Sequence, residues 1–156
     1  MSDVRPQLPQ AGPHPHPSPP RGEATPEPNA LFVYGTLLFP EVLHALIGRK
    51  PESVMASAPG WRAAVLYGRP YPGLVPADGA VTGRLLMGLE PEEWRVLDAF
   101  EGEEYEPRRI ELADGRPGWV YVWLDPESVA TEDWSAEQFA ARHLADYVDN
   151  CAAWRD

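Results

Sequence analysis

The chain has 156 residues, 44% of them hydrophobic and 10% aromatic, which is enough to form the core of one domain. Its formal net charge is -11 at pH 7, with 24 acidic and 13 basic residues and no basic run, and this argues against binding to nucleic acid or to an anionic membrane. No apolar run approaches the ~20 residues of a membrane span, and the N-terminus lacks the apolar stretch that a secretory signal requires, so we expect a cytoplasmic protein.

The cysteine and histidine content argues against a metal site or a redox centre. Cys151 is the single cysteine, so no internal disulfide can form, and the four histidines do not have the spacing of metal ligands. We therefore expect neither a structural metal nor redox chemistry.

The first 30 residues differ in composition from the rest of the chain. They contain nine of the 19 prolines and almost no large apolar residues, so they cannot bury enough surface to offset the entropy of ordering. We predict a disordered proline-rich leader over residues 1–30 and one folded domain over residues 31–156.

The first half of the folded domain is predicted to begin with a strand, a turn and a helix. Residues 31–34 read as a buried strand, and residues 40–48 begin with a proline and carry apolar side chains at helical spacing. Two further strands are predicted over residues 61–67 and 81–89. They are separated by an irregular loop over residues 69–76, which contains three prolines and a glycine and is long enough to line a pocket.

The second half is predicted to contain two helices and a hairpin. Residues 91–100 form a helix that ends before a glycine, and residues 108–112 and 119–124 form a hairpin. Residues 134–154 place apolar side chains at spacings of three and four, which predicts one long amphipathic helix. The domain is therefore predicted to be α+β, with a small mixed curved sheet or barrel and helices packed outside it.

The turn after the first strand has the residues of a ligand-binding loop. Gly35 permits the close approach of a ligand, and Thr36 can cap the next turn or bind a carboxylate. The second glycine and the lysine of a phosphate-binding loop are absent, so this motif does not predict a phosphate site. The alternative interpretation is a tight turn after an edge strand, with no ligand.

Glu101 is the candidate general base. It lies between Phe100 and Gly102 at the predicted end of a helix, where an apolar wall would desolvate it and three neighbouring acidic residues would oppose its ionisation. Both effects raise the pKa of a carboxylate, as a glutamate that accepts a proton near neutral pH requires. The alternative interpretation is a solvated surface charge, and we interpret the nearby Asp98 as a helix-end residue.

Five segments occur in a characteristic order. They are residues 32–37 (FVYGTL), 40–43 (PEVL), 71–76 (YPGLVP), 81–86 (VTGRLL), and 97–102 (LDAFEG) followed by 104–106 (EYE). In this order the segments resemble the gamma-glutamylcyclotransferase-like proteins, and the most similar branch is that of the plant avirulence-induced proteins and their bacterial relatives. The resemblance covers residues 31–155 and leaves the leader without a counterpart.

The resemblance implies a small mixed barrel that cyclises a gamma-glutamyl amine or amino acid to 5-oxoproline and releases the amine, without a cofactor. It implies that Glu101 is the proton acceptor. It also implies a substrate-binding loop formed by Tyr34, Gly35, Thr36, Leu37, Leu38 and Phe39. We further hypothesise that Tyr71 and Tyr105 line the pocket.

Two other functions are compatible with the same residues. One is a binding or interaction module that keeps the pocket without turnover, because a fold does not by itself determine a function. The other is the removal of a gamma-glutamyl protecting group from a biosynthetic intermediate, which would use the same pocket with a bulkier amine.

Overall fold

A computed structural model describes residues 30–155. The predicted leader therefore lies outside the described residues, apart from Ala30, which begins the first strand. Within residues 30–155 there are two single turns of 3-10 helix, at Thr36–Leu38 and Pro126–Ser128. The strands and helices are, in chain order, β1 (Ala30–Val33), α1 (Pro40–Ile47), β2 (Glu52–Leu66), β3 (Gly73–Met87), α2 (Pro91–Glu101), β4 (Tyr105–Glu111), β5 (Pro117–Trp123), β6 (Val129–Asp133), α3 (Ala136–Arg142) and α4 (Leu144–Arg155).

The six strands form one sheet in the order β4-β5-β1-β3-β2-β6. Neighbouring strands are antiparallel except for β1 and β5, which run parallel. In this part of the chain β4 and β6 lie at the two edges, so the sheet is open. The predicted α+β class and mixed sheet are confirmed.

β1 is the central strand, and both of its faces are buried. Leu31 and Val33 belong to a core cluster that also contains residues of α1, α2 and α4. Ala30, Phe32 and Tyr34 belong to a second cluster, whose other buried members come from strands and from Leu112 just after β4. Among the described residues the helices therefore cover one face of the sheet, and the curved sheet encloses the other face. None of these helices combines the length and the hydropathy that a membrane crossing requires.

The β2–β3 hairpin is longer than the sequence predicted. Each strand has 15 residues, so the segment 73–76, predicted as loop, belongs to β3, and β2 begins nine residues before the predicted start. The register shifts between Pro59, which pairs with Ala80, and Trp61, which pairs with Pro76, so one residue of β2 faces the three residues 77–79 of β3. Gly60 is the β2 residue at this shift, and it adopts a φ of 89°.

The prediction of one long C-terminal helix over residues 134–154 is wrong. The segment contains two helices, α3 and α4, separated by His143, whose φ of -131° and ψ of -16° lie outside helical values. Ser135 caps the start of α3 by accepting a hydrogen bond from the Gln138 amide. The preceding strand β6, which pairs with β2, was not predicted.

Candidate active site

The sheet topology brings the C-terminal ends of β1, β5 and α2 to the same edge of the domain as the start of β4. Because β1 is parallel to β5, the C-terminal ends of both strands lie at the same end. β4 runs antiparallel to β5 and pairs Tyr105 with Trp123, so β4 begins where β5 ends. Helix α2 ends at Glu101, shortly before β4 begins, and this connection carries Glu101 to the same end of the sheet.

A cleft opens at this end of the sheet. Its empty volume is about 410 Å³, a figure that includes the open solvent at its mouth. The lining residues are Leu31, Phe32, Val33, Tyr34, Gly35, Thr36, Leu37, Tyr71, Pro72, Glu101, Tyr105, Tyr121 and Tyr147. Among these described residues, Glu101 carries the single carboxylate, and aromatic rings form much of the wall.

The end of α2 determines where Glu101 lies. The helix starts with a capping box between Glu90 and Glu93 and a proline in its first turn, both of which favour initiation at this point. It ends because Gly102 adopts a φ of 78°, a value that other residues rarely adopt. Glu101 is therefore the last helical residue, and it is partly buried in the cleft wall.

The turn after β1 forms another part of the cleft wall. The Leu38 amide donates to the Gly35 carbonyl at 2.9 Å, and the Phe39 amide donates to the Thr36 carbonyl at 3.2 Å. The first amides of a helical turn have no acceptor within that turn, so the Thr36 and Leu37 N–H groups are suited to bind an anion. Gly35 itself packs on Pro72: a Cβ added there would lie 2.7 Å from Pro72 Cγ and 2.9 Å from its Cδ.

Two buried tyrosines hold this arrangement together. The Tyr34 hydroxyl donates to the Tyr121 carbonyl and the Tyr105 hydroxyl donates to the Pro72 carbonyl, both at 2.7 Å. Burial raises the pKa of each hydroxyl well above its ordinary value, and the Glu101 carboxylate raises both further. Both hydroxyls therefore stay neutral donors near pH 7.

The structure brings most of the sequence-predicted site residues together. Tyr34, Gly35, Thr36, Leu37, Tyr71, Tyr105 and Glu101 all line the cleft. Leu38 and Phe39 do not line it, because the 3-10 turn directs them towards the core between the helices and the sheet. The Phe39 ring packs 5.4 Å from the Phe139 ring, measured between centroids.

Two tyrosines of the cleft were not predicted. The Tyr121 hydroxyl donates to Asp98 Oδ1 at 3.2 Å, so Asp98 contacts the cleft wall in addition to being near the end of its helix. The Thr36 hydroxyl donates to the Tyr147 hydroxyl at 3.4 Å. Local patterns mark Tyr121 only as a strand residue and Tyr147 only as part of an apolar helix face. The sequence therefore gave no signal that either residue lines the cleft.

The cleft brings the turn after β1 and the Glu101 carboxylate together on a mixed α+β fold, which makes it the candidate small-molecule site. The family model described as "Gamma-glutamyl cyclotransferase, AIG2-like" matches residues 31–136. The chain belongs to this family, which confirms the resemblance seen in the sequence.

Similar proteins place the chain near the plant branch of the family. AIG2-like protein C from Arabidopsis thaliana is 34% identical over 127 residues, which cover 76% of this chain and 73% of that protein. AIG2-like protein A from the same plant is 33% identical over 128 residues, covering 76% of each chain. The solution structure of an Arabidopsis thaliana protein that is 33% identical matches with a TM-score of 0.59 over 78% of this chain and 86% of that one, which confirms the fold.

Proposed function

We propose that this protein is a gamma-glutamylcyclotransferase that converts a gamma-glutamyl amine or amino acid to 5-oxoproline and releases the amine. One observation carries the proposal: Glu101 lines the same cleft as the turn of residues 34–37, although Glu101 lies 67 positions after Tyr34 in the chain. Membership of the gamma-glutamyl cyclotransferase, AIG2-like family supports the reaction class.

The reaction needs little from the protein beyond orientation and proton transfer. The α-amine of the glutamyl unit attacks its own γ-carbonyl carbon, a new C–N bond closes the five-membered ring, and the bond to the leaving amine breaks. Because nucleophile and electrophile belong to one molecule, holding the chain folded supplies a proximity term that reaches about 7–11 kcal/mol in the best cases. The lactam and the free amine contain all the atoms of the substrate, so no water or cofactor is consumed.

In this mechanism Glu101 accepts a proton from the α-ammonium group and then donates it to the leaving nitrogen. The second proton that the attacking nitrogen loses on becoming the lactam N–H follows the same route, so the amine leaves as an ammonium ion and protons and charge balance. The amides of Thr36 and Leu37 bind the substrate carboxylate or the oxyanion that develops at the γ-carbonyl. Tyr34 and Tyr105, whose raised pKa values keep them neutral, are not competing bases. Glu101 is then the one carboxylate among the described lining residues that can act as the base.

The test is 5-oxoproline release from a panel of gamma-glutamyl amino acids, gamma-glutamyl-ε-lysine and bulkier gamma-glutamyl amines. Glu101→Gln keeps the volume of the side chain and removes the base, so kcat should fall by ~10²–10⁴. Glu103→Gln is the matched control, because Glu103 is exposed and does not line the cleft. Equal activity of Glu101→Gln and the parent would refute the assignment of the base.

The same panel separates the competing functions. A folded parent that binds a gamma-glutamyl compound but releases no 5-oxoproline from any of them would favour a binding module. Release confined to the bulkier amines would favour the removal of a protecting group. Release from simple gamma-glutamyl amino acids would favour a general cyclotransferase.

A further inference from the structure

The cleft is completed by a helix that the family model does not reach. The match to the model ends at residue 136, whereas α4 spans Leu144–Arg155. Tyr147, on the first turn of α4, nevertheless lines the cleft together with Glu101 and Thr36. This one side chain therefore belongs to the site although it lies beyond the region that defines the family.

Tyr147 contacts both halves of the site. Its hydroxyl accepts a hydrogen bond from Thr36 Oγ1, in the turn that provides the backbone amides, at 3.4 Å. Its ring meets the Phe100 ring edge to face, with a centroid distance of 6.3 Å and an interplanar angle of 86°. Phe100 directly precedes Glu101, so Tyr147 connects the amide-bearing turn to the residue next to the carboxylate.

The surroundings of Tyr147 hold it in this position. Its ring packs edge to face on Phe139 at 5.3 Å, and Trp154, two turns further along α4, packs on Phe100 at 5.3 Å. At the end of α4, Arg155 Nε donates to the Leu46 carbonyl of α1 at 2.9 Å. A side chain packed in this way loses little conformational freedom when a ligand binds, which favours a role in recognition.

We propose that Tyr147 is a substrate-contacting residue that also positions the Thr36 turn relative to Glu101, so that α4 forms a wall of the active site. The substrate contact rests on the proposed function, because that function supplies the gamma-glutamyl ligand. The positioning of the turn is a property of the free protein and can be measured without any substrate.

The experiment compares Tyr147→Phe, which removes the hydroxyl and keeps the ring, with Tyr147→Leu, which removes the ring as well. Tyr67→Phe makes the same chemical change at a side chain that is 63% exposed and outside the cleft, and it serves as the matched control. The first readout is KM and kcat for 5-oxoproline release. The second is amide hydrogen exchange, followed by NMR, at Leu38 and Phe39, whose amides close the turn.

We expect Tyr147→Phe to raise KM by about 3–10-fold with kcat nearly unchanged, the effect of losing one neutral hydrogen bond to the substrate. It should also speed exchange at Leu38 and Phe39 by a similar factor, while Tyr67→Phe matches the parent in both readouts. Tyr147→Leu should lower kcat as well, because Phe100, next to Glu101, loses one of its two aromatic packing partners on α4.

Three outcomes decide the proposal. If Tyr147→Phe matches the parent in both KM and amide exchange, Tyr147 is a packing residue and the proposal is wrong. If the parent turns over and both readouts change as expected, the proposal stands. If the parent releases no 5-oxoproline, the proposed function fails, and exchange at Leu38 and Phe39 alone decides whether Tyr147 positions the turn.

Discussion

Gly35 offers the most direct test of how the cleft is built. Its φ of -128° is not left-handed, and the contact with Pro72 leaves no room for a side chain at this position. A Cβ at position 35 would lie 2.7 Å from Pro72 Cγ, whereas ordinary van der Waals contact begins at 3.4 Å. Alanine therefore requires a displacement of about 0.7 Å or more.

Pro72 cannot easily supply that displacement. It is a rigid ring, it is buried, and its carbonyl is held by the Tyr105 hydroxyl at 2.7 Å. The turn that carries Gly35 must therefore move, and the amides of Thr36 and Leu37 move with it. Overpacking of this kind typically costs about 1–3 kcal/mol of stability, and a misplacement approaching 1 Å at a catalytic group can cost ~10²-fold in rate.

We expect Gly35→Ala to reduce the free energy of unfolding by about 1–3 kcal/mol and kcat/KM by about 10–100-fold. Urea denaturation and 5-oxoproline release measure the two quantities. Gly79→Ala is the control, because Gly79 is exposed in β3 and a Cβ there meets nothing within 4 Å. If Gly35→Ala behaves like Gly79→Ala in both assays, the close approach of the turn to Pro72 is not what shapes the site.

Two further predictions concern stability. Gly83→Ala should cost about 3 kcal/mol or more, because its Cβ would lie 2.1 Å from the Val33 carbonyl oxygen across the β1–β3 pair; a urea midpoint close to that of the parent would contradict this spacing of the strands. Because the pKa values of Tyr34 and Tyr105 are raised, the free energy of unfolding should fall at alkaline pH. Their contribution is fully present below pH 10, the ordinary tyrosine pKa, and is lost as the pH rises beyond it, because the unfolded state then releases protons that the buried hydroxyls retain. Urea denaturation between pH 8 and pH 11.5 should show this loss, and Tyr105→Phe should make the loss shallower; equal slopes for parent and variant would refute the role of Tyr105.

The sequence predicted those elements whose signals are local. β1 is a short apolar run, α1 and α2 begin with prolines and end at glycines with positive φ, and β4 and β5 flank a turn-rich link. Each of these signals acts within one element. The fold class followed from them, because a few strands without regularly alternating helices favour a mixed sheet.

The secondary-structure predictions were wrong where pairing between distant segments overrides the local conformational preference of the residues. The first half of β2 is rich in serine and alanine and has no clear alternation, yet its backbone groups pair with β3 along the whole hairpin. The apolar spacing of residues 134–154 is continuous, but the chain leaves helical geometry at His143. Periodicity records which side chains are buried and not whether the backbone between them stays helical.

The sequence by itself determined the local parts of the candidate site: a glycine turn whose first amides are suited to bind an anion, and a glutamate at the end of a helix that stops at Gly102. Tertiary structure alone decided which distant groups meet there. The parallel pairing of β1 with β5 puts the turn beside Glu101, and the break between α3 and α4 sets the course of the helix that carries Tyr147 to the same cleft. Such contacts depend on strand pairing and helix packing between segments far apart in the chain, and no local pattern of residues encodes them.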